Sequence, residues 1–342
     1  MPVQRPHGFK ASLYWLIAIA MVWAFHAFVA GNIDAYYFSI LMYTGINMIL
    51  AVSLNLVNGF TGQFSMGHAG FMSVGAYASA YLTTTLAAQN PALMQGPVAT
   101  VIFLFSLVLG GLIAAFVGYL VGLPSLRLRG DYLAIVTLGA GEIIRVVFLN
   151  IDAVGGARGM AGIPQLGSFG WVYTMVIVTV FVVWRLVNSS QGRAFLAVRE
   201  DEIAAESMGV HTTKAKVRAF VIGAFFAGVA GGLFAHQLGY LNPQPFDYNR
   251  SFEVIIMVVL GGMGSITGSV IAAAILTVIR EALRELKDSG FTQYDYRMII
   301  YSLFLIVLML TRPNGLFGFK EFIDFLPDRL RKRFTYKDRV VA

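Results

Sequence analysis

Apolar residues fill this chain in long blocks separated by short polar or glycine-rich interruptions, and blocks of about twenty residues are the length an α-helix needs to cross a bilayer. The first block, Leu13–Val29, follows the basic stretch Met1–Lys10. It ends in Phe25, Phe28 and Val29 with no small-x-small site behind it, so it reads as a retained span rather than a cleaved leader. Further blocks cover Phe38–Val57, the Ala-rich stretch to about Leu86, Val98–Leu123, Leu133–Leu149, Trp171–Leu186, Val217–Leu238, Phe252–Leu260, a stretch ending near Ile279, and Met298–Leu310. Taken singly these are ten crossings. Those around 64–86 and 252–264 are read either as full spans or as broken, re-entrant segments, which sets the count at eight to ten.

Composition agrees with the pattern. The 342 residues are 57% hydrophobic and 13% charged, against about 25% charged in soluble domains. A water-soluble enzyme, a secreted domain and a nucleic-acid binder are thereby excluded, and the fold class is an all-α polytopic transmembrane bundle. Cysteine is absent, which removes disulfide scaffolds, Cys-ligated metals and thiol catalysis. The net charge of +7 gathers on one set of loops. Residues 185–218 carry six basic against four acidic groups, the 319–342 tail carries seven against four, and Arg127 and Arg129 form a basic turn. Loops 31–37, 87–97, 150–170 and 239–250 are neutral or slightly negative. By the positive-inside rule both termini are cytoplasmic. The expected organisation is a 1–12 cytoplasmic segment, a 13–318 transmembrane domain with a 187–216 cytoplasmic loop, and a basic 319–342 tail.

Two glycine-rich interruptions resemble one another in design: Gly59–Gly67 and Gly261–Gly268 each follow an inward-running apolar stretch and precede an Ala-rich outward one. Discontinuous helices at matched positions point to a transport pathway, while two ordinary hairpins between full spans are the plainer alternative. On the first reading Gln63, Ser65 and His68 offer polar contacts to the pathway, and Gly261, Gly262 and Gly264 permit the backbone geometry. His68 either lines that pathway or satisfies a nearby backbone group, and His236 reads as an interfacial residue. No histidine or carboxylate stands at metal-ligand spacing from them.

Glu142 and Arg145 share a helix face inside an apolar block, as a structural ion pair or as pathway lining. The spacings Gly118-x-x-x-Gly122 and Gly228-x-x-x-Gly232 permit close helix packing. No phosphate-binding GxxxxGK[ST] occurs. In the longest polar segment, Arg199–Met208 is expected to form an amphipathic helix closed by Gly209, lying on the membrane or docking to a partner.

Four stretches carry a family likeness: Leu54–Phe71 (LNLVNGFTGQFSMGHAGF), Arg193–Gly209 (RAFLAVREDEIAAESMG), Met257–Gly268 (MVVLGGMGSITG) and Thr311–Phe317 (TRPNGLF). In this order, over about residues 35–320, the chain resembles the inner-membrane permeases of bacterial ABC importers for branched-chain amino acids, in the LivM-like branch. The resemblance implies that Glu202, Ala204, Ala205, Glu206 and Gly209 belong to the region that couples to an ATPase. General ABC importers carry Glu-Ala-Ala-x-x-x-Gly there; this chain matches at Ala204, Ala205 and Gly209, with Ile203 in the glutamate position and Glu202 one place earlier. It further implies a second related permease, one or two ATPase subunits, a periplasmic binding protein and an amino-acid substrate. No cofactor is expected on this chain, ATP being used by the partner subunits. Related systems carry leucine, isoleucine and valine, or broader amino acids and urea. A stand-alone ion-coupled secondary transporter is the alternative; it leaves the 187–216 helix without a task. A membrane enzyme is disfavoured because the spans hold no paired catalytic carboxylates.

Overall fold

A computed structural model of the chain describes residues 8–128 and 130–288, together with 303, 306–307, 310–311, 315–318 and 321. The expected N-terminal segment before residue 8, most of the Met298–Leu310 span and nearly all of the 319–342 tail lie outside the described residues. The described part is an all-α polytopic bundle. Its helices are α1 (Gly8–Asn32), α2 (Ala35–Asn58), α3 (His68–Gln89), α4 (Gly96–Ser125), α5 (Asp131–Asn150), α6 (Phe169–Val187), α7 (Ser190–Glu200), α8 (Glu202–Ser207), α9 (Thr212–Leu238), α10 (Tyr248–Gly261) and α11 (Ile266–Asp288). Five of these, α2, α4, α5, α6 and α9, are long and apolar enough to cross a membrane. A two-residue antiparallel pair, β1 (Met160–Ala161) with β2 (Tyr240–Leu241), ties two loops together at one end. That end is called here the loop end, and the other, which carries Arg127 and α7–α8, the basic end.

Burial separates the centre from the rim. In the most apolar windows of α2 and α9, 78% of residues are buried, against 17% in α5. The central helices touch almost backbone to backbone. A Cβ on Gly75 of α3 would stand 2.2 Å from the Gly228 Cα of α9, and one on Gly110 of α4 would stand 2.7 Å from the Gly75 carbonyl oxygen. Gly118, Gly122 and Gly232 likewise face Ala224, Phe220 and Leu107. Both small-residue spacings therefore serve packing within the chain. Hydroxyls inside the helices bond back to the preceding turn, as Thr44 does to the Ile40 carbonyl at 2.8 Å and Thr179 to Met175 at 2.7 Å, so they need no water. Trp15 and Trp23 of α1 seat edge-on against Phe181 and Trp171 of α6.

The interruptions are what shape the interior. After α2 ends, Gly62 takes a φ of +68° and the chain doubles back. Asn58 holds the returning strand through its Oδ1, which accepts from the Ser65 amide at 3.2 Å, and Thr137 Oγ1 accepts from the Met66 amide at 3.0 Å. His68, the first residue of α3, then bonds Ser53 Oγ at 2.8 Å. Ser53 lies six residues before Gly59, so α3 starts about 9 Å inside the basic end of α2 at 1.5 Å per residue. At this break the chain turns back into the bundle before α3 begins.

The second interruption differs from expectation. Gly262–Ser265 form a tight turn at the basic end, against Gly59, rather than a break at depth. Its discontinuity is displaced to the other end of α10. That helix has only 14 residues, and Arg250 in its first turn bonds Asn47 at the middle of α2. The chain descends from β2 into the bundle before α10 begins, with Phe246 buried against Phe234 and Tyr77. The Ala69 amide of α3 donates to Ser251 Oγ of α10 at 3.1 Å. Two helices of opposite direction thus begin beside one another in the interior.

Two further expectations are corrected. His236 is fully buried rather than interfacial, held between Thr83 Oγ1 at 3.0 Å and the Gly232 carbonyl at 2.7 Å. The single helix expected over Arg199–Met208 is two. Asp201 leaves the helical region (φ −157°, ψ 111°), ends α7, and caps α8 by accepting from the Ile203 and Ala204 amides at 2.9 and 3.0 Å.

Candidate functional site

A cavity of about 580 Å³ occupies the loop-end half of the bundle. One wall is the first turns of α2, where Tyr36, Ser39, Ile40 and Tyr43 recur on one helix face; Met72 of α3 and Phe234 of α9 extend it with apolar surface. Its floor and opposite wall come from the start of α10 and the middle of α11. The floor is polar. Arg250 donates to Asn47 Oδ1 at 2.7 Å and to Glu253 Oε2 at 2.8 Å, and Asn47 donates onward to Thr277 at 2.8 Å. Arg280 donates through Nη1 to the other oxygen of Glu253. Beside it, Glu281 accepts from the Tyr36 hydroxyl at 2.9 Å. Asp247 caps α10, accepting from the Arg250 amide at 3.2 Å and from Asn249 at 2.7 Å. Charged groups at the middle of an apolar bundle are costly unless paired and turned towards an aqueous space, and this cluster satisfies both conditions.

On the basic side of the cavity the two interruptions join. Asn55, fully buried on α2, donates from Nδ2 to the Ser265 carbonyl and to Ser269 Oγ, both at 2.8 Å, while its Oδ1 accepts from the Gly264 amide at 2.9 Å. A Cβ on Gly59 would stand 2.4 Å from the Gly264 nitrogen, so only glycine permits this approach. Residues 315–318 and Glu321 lie against the same turn. The Leu316 amide bonds the Leu260 carbonyl at 2.7 Å, and the Glu321 carboxylate accepts from the first amides of α11, Ile266 at 2.8 Å and Thr267 at 3.0 Å.

The residues singled out from sequence fall on this basic side. Gln63, Ser65 and His68 are buried along the last turns of α2, and Gly261, Gly262 and Gly264 form the turn against Gly59. None of the six lines the cavity. Gln63 stands out because its amide oxygen and nitrogen are both buried without a hydrogen-bond partner among the described residues. Glu142 and Arg145 do pair, at 2.8 Å, on the peripheral helix α5 and away from the cavity.

Arg250, Glu253, Arg280 and Glu281 were passed over in the sequence because they sit at the margins of apolar blocks, where charges normally belong to loops. A signal existed. Arg250 and Glu253 have the same three-residue spacing that marked Glu142 and Arg145, and they adjoin an apolar stretch too short to cross alone.

At the basic end, α7 and α8 pack on the bundle through Phe195, Val198 and Ala205, which join Val52, Leu56 and Phe60 in a second apolar cluster. Ser189 caps α7, and Lys216 of α9 bonds Glu202 of α8 at 2.7 Å. Arg199 reaches from α7 to the Gly59 carbonyl at 3.2 Å, linking this pair of helices to the first interruption. Gly209, at φ +83°, releases the chain into α9. Ala205 is turned inward, while Ile203 and Met208 are 64% and 84% exposed and flank Ala204 and Glu206 on the outer face.

Comparison with known proteins follows the same lines. The family model for the permease component of branched-chain amino acid transport systems matches residues 36–310. The chain is 36% identical over 342 positions to the high-affinity branched-chain amino acid transport system permease protein LivM of Salmonella typhimurium strain LT2, across 90% of this chain and 74% of the relative. The LivM protein of Escherichia coli K12 is similar to the same extent. A shorter likeness, 33% over 164 positions, relates 47% of this chain to 50% of the E. coli K12 permease protein LivH. No solved structure matches the chain.

Proposed function

The chain belongs to the family of branched-chain amino acid transport system permease components, and on that premise we propose that it forms half of the translocation pathway of an ABC importer in a bacterial inner membrane. A permease component moves solute without transforming it, so the chain is a transport subunit and no reaction is assigned to it. Its partners are a second related permease, one or two ATPase subunits that bind and hydrolyse ATP, and a soluble periplasmic binding protein. The basic end is cytoplasmic with both termini, the loop end is periplasmic, and the chain crosses the membrane eight to ten times.

The observation that carries this reading is the mid-depth cavity, floored by the start of the half-helix α10 and closed on the basic side by the interruptions joined at Asn55. A solute arriving at the loop end meets a polar floor halfway across and a closed inner side. That is an outward-facing arrangement, and transport requires Gly59 and Gly264 to part. The α7–α8 pair supports the second half of the reading. Ile203, Ala204, Glu206 and Met208 offer a docking face to an ATPase, Ala205 and Glu202 fix that face to the bundle, and Arg199 passes its movement to Gly59. ATP binding on the partner then favours one arrangement of the interruptions over the other by differential affinity. Gln63, whose buried amide is unpaired among the described residues, is the member of the first interruption best suited to meet solute once the seal opens.

The test is uptake of radiolabelled leucine, then valine, other amino acids and urea, by proteoliposomes holding this chain with its co-permease and ATPases. Uptake that requires both ATP and the binding protein is expected. Uptake by this chain alone, driven by a proton or sodium gradient, refutes the proposal.

A further inference from the structure

The start of α9 carries two cations at a depth that the helix itself defines. Ala219–Leu238 holds no Asp, Glu, Lys or Arg over twenty residues, a length of about 30 Å at 1.5 Å per residue and the thickness of a bilayer's hydrocarbon core. Arg218 therefore stands at one hydrocarbon boundary, and Lys214, a turn before it, in the headgroup layer. Both are exposed. Neither meets a carboxylate among the described residues, whereas the buried Lys216 beside them is paired with Glu202. Lys214 and Arg218, with the His211 imidazole, edge a groove of about 330 Å³ between α7 and the start of α9, and Phe195, Val210 and Ala215 give it an apolar floor. No acidic side chain lines it. The same face of α9 continues through Val221, Ile222 and Phe225, which are apolar and partly exposed. The groove thus runs from a cationic edge onto an apolar surface that enters the bilayer.

We propose that this groove binds an anionic phospholipid of the cytoplasmic leaflet, with its phosphate between Lys214 and Arg218, its glycerol portion on the Phe195–Val210–Ala215 floor and its acyl chains along Val221, Ile222 and Phe225. A lipid fits better than a protein segment on three counts. The groove lies at headgroup level, whereas the face offered to an ATPase, with Ile203 and Met208, stands outside it. The chain's own ends carry an excess of the same sign as the groove: Met1–Lys10 has Arg5 and Lys10 with no acidic residue, and the 319–342 tail has seven basic against four acidic. An anionic headgroup joined to methylenes also matches a cationic edge joined to an apolar floor, which is how basic pockets at the inner surface hold lipid. The consequence reaches the seal. Phe195 lies in the groove and Arg199, on the same helix, bonds the Gly59 carbonyl, so a lipid seated here steadies the helix that touches the first interruption. The proposal requires only that the basic end face the cytoplasm and is independent of the solute carried.

The test melts the purified full-length chain in nanodiscs of phosphatidylcholine alone and of phosphatidylcholine mixed with phosphatidylglycerol. The mixed bilayer is expected to raise the melting temperature by about 5 °C, the shift given by a ligand at about a hundred times its Kd in a chain of this size. The double variant Lys214→Gln, Arg218→Gln should lose at least half of that rise, while Arg127→Gln, a cation of the same end outside the groove, should keep all of it. Inorganic phosphate added to phosphatidylcholine nanodiscs should leave melting unmoved. Native mass spectrometry of the detergent-released protein should show more retained phosphatidylglycerol on the parent than on the double variant. Equal melting of the unmutated protein in the two bilayers overturns the proposal, and needs no variant to fold. So does a full rise retained by the double variant, which, joined to loss of ATPase co-purification, assigns the groove to the ATPase instead. An equal loss in Arg127→Gln shows only a general attraction of the basic end and also overturns the site, as does a rise produced by phosphate alone. None of these readings uses leucine uptake, so the importer reading stands or falls separately.

Discussion

Asn55 is the residue on which the closed basic end depends. Its side chain joins α2 to the α10–α11 turn by three hydrogen bonds of 2.8, 2.8 and 2.9 Å, at a position with no exposure. In Asn55→Ala the Ser265 carbonyl keeps the Ser269 hydroxyl at 3.1 Å, but the Gly264 amide loses its partner. Side-chain hydrogen bonds in membrane bundles average about 0.6 kcal/mol, and a buried donor left unmade costs about 1–3 kcal/mol. One orphaned amide and two lost bonds therefore cost about 2–4 kcal/mol. At about 2 °C per kcal/mol for a chain of this size, melting of the detergent-solubilised protein should fall by about 4–8 °C. Asn150→Ala is the control. Its side chain also makes a 2.7 Å bond, to the Val146 carbonyl, but it is exposed and water replaces the partner, so its melting point should move by no more than about 1 °C. Loosening the seal should also raise ATP hydrolysis per leucine imported. An Asn55→Ala protein that melts with the Asn150→Ala control and imports leucine at the parental ATP ratio refutes the reasoning.

Other consequences follow from particular contacts. Gly75→Ala should abolish the folded, monodisperse protein on size exclusion, because its Cβ would meet Gly228 backbone atoms at 2.2 Å, whereas Gly139→Ala on α5, with nothing within 4 Å, should be neutral or stabilise by about 0.5–1 kcal/mol. Asp201→Ala removes both cap bonds of α8 and costs about 1 kcal/mol; it should weaken ATPase co-purification, and Asp201→Ser should restore it. Ile203→Glu and Met208→Glu should leave folding intact and lose the ATPase in pull-down, while Ala205→Glu, directed into the Phe195–Val198 cluster, should lose the fold itself as judged by thermal melting.

Much of the architecture is legible in the chain because lipid imposes a simple rule: an apolar block of sufficient length becomes a helix whose backbone bonds are all internal. The helices α2 to α6 and α9 begin and end within a few residues of the expected positions for this reason. The Glu142–Arg145 pair and the small-residue spacings were equally readable, since residues three or four apart on one helix share a face whatever surrounds them. The cavity was not readable. Its groups come from α2, α10 and α11, and bonds such as Asn47 to Thr277 and Arg250 to Asn47 join residues more than two hundred positions apart.

Taken alone, then, the sequence determined the class of molecule, the helices, the charge asymmetry between the two ends and the family. Tertiary structure alone decided depth. Hydropathy registers that a segment is apolar but not how far into the bundle its first turn lies. That is set by the contacts of its first residues, His68 with Ser53 and Arg250 with Asn47. Those contacts turn Arg250, Glu253, Arg280 and Glu281 from apparent loop charges into the lining of an interior cavity. The bonds of Asn55 likewise bring Gly59 and Gly264 together, because a polar group buried among helices must find its partner wherever the packing places one.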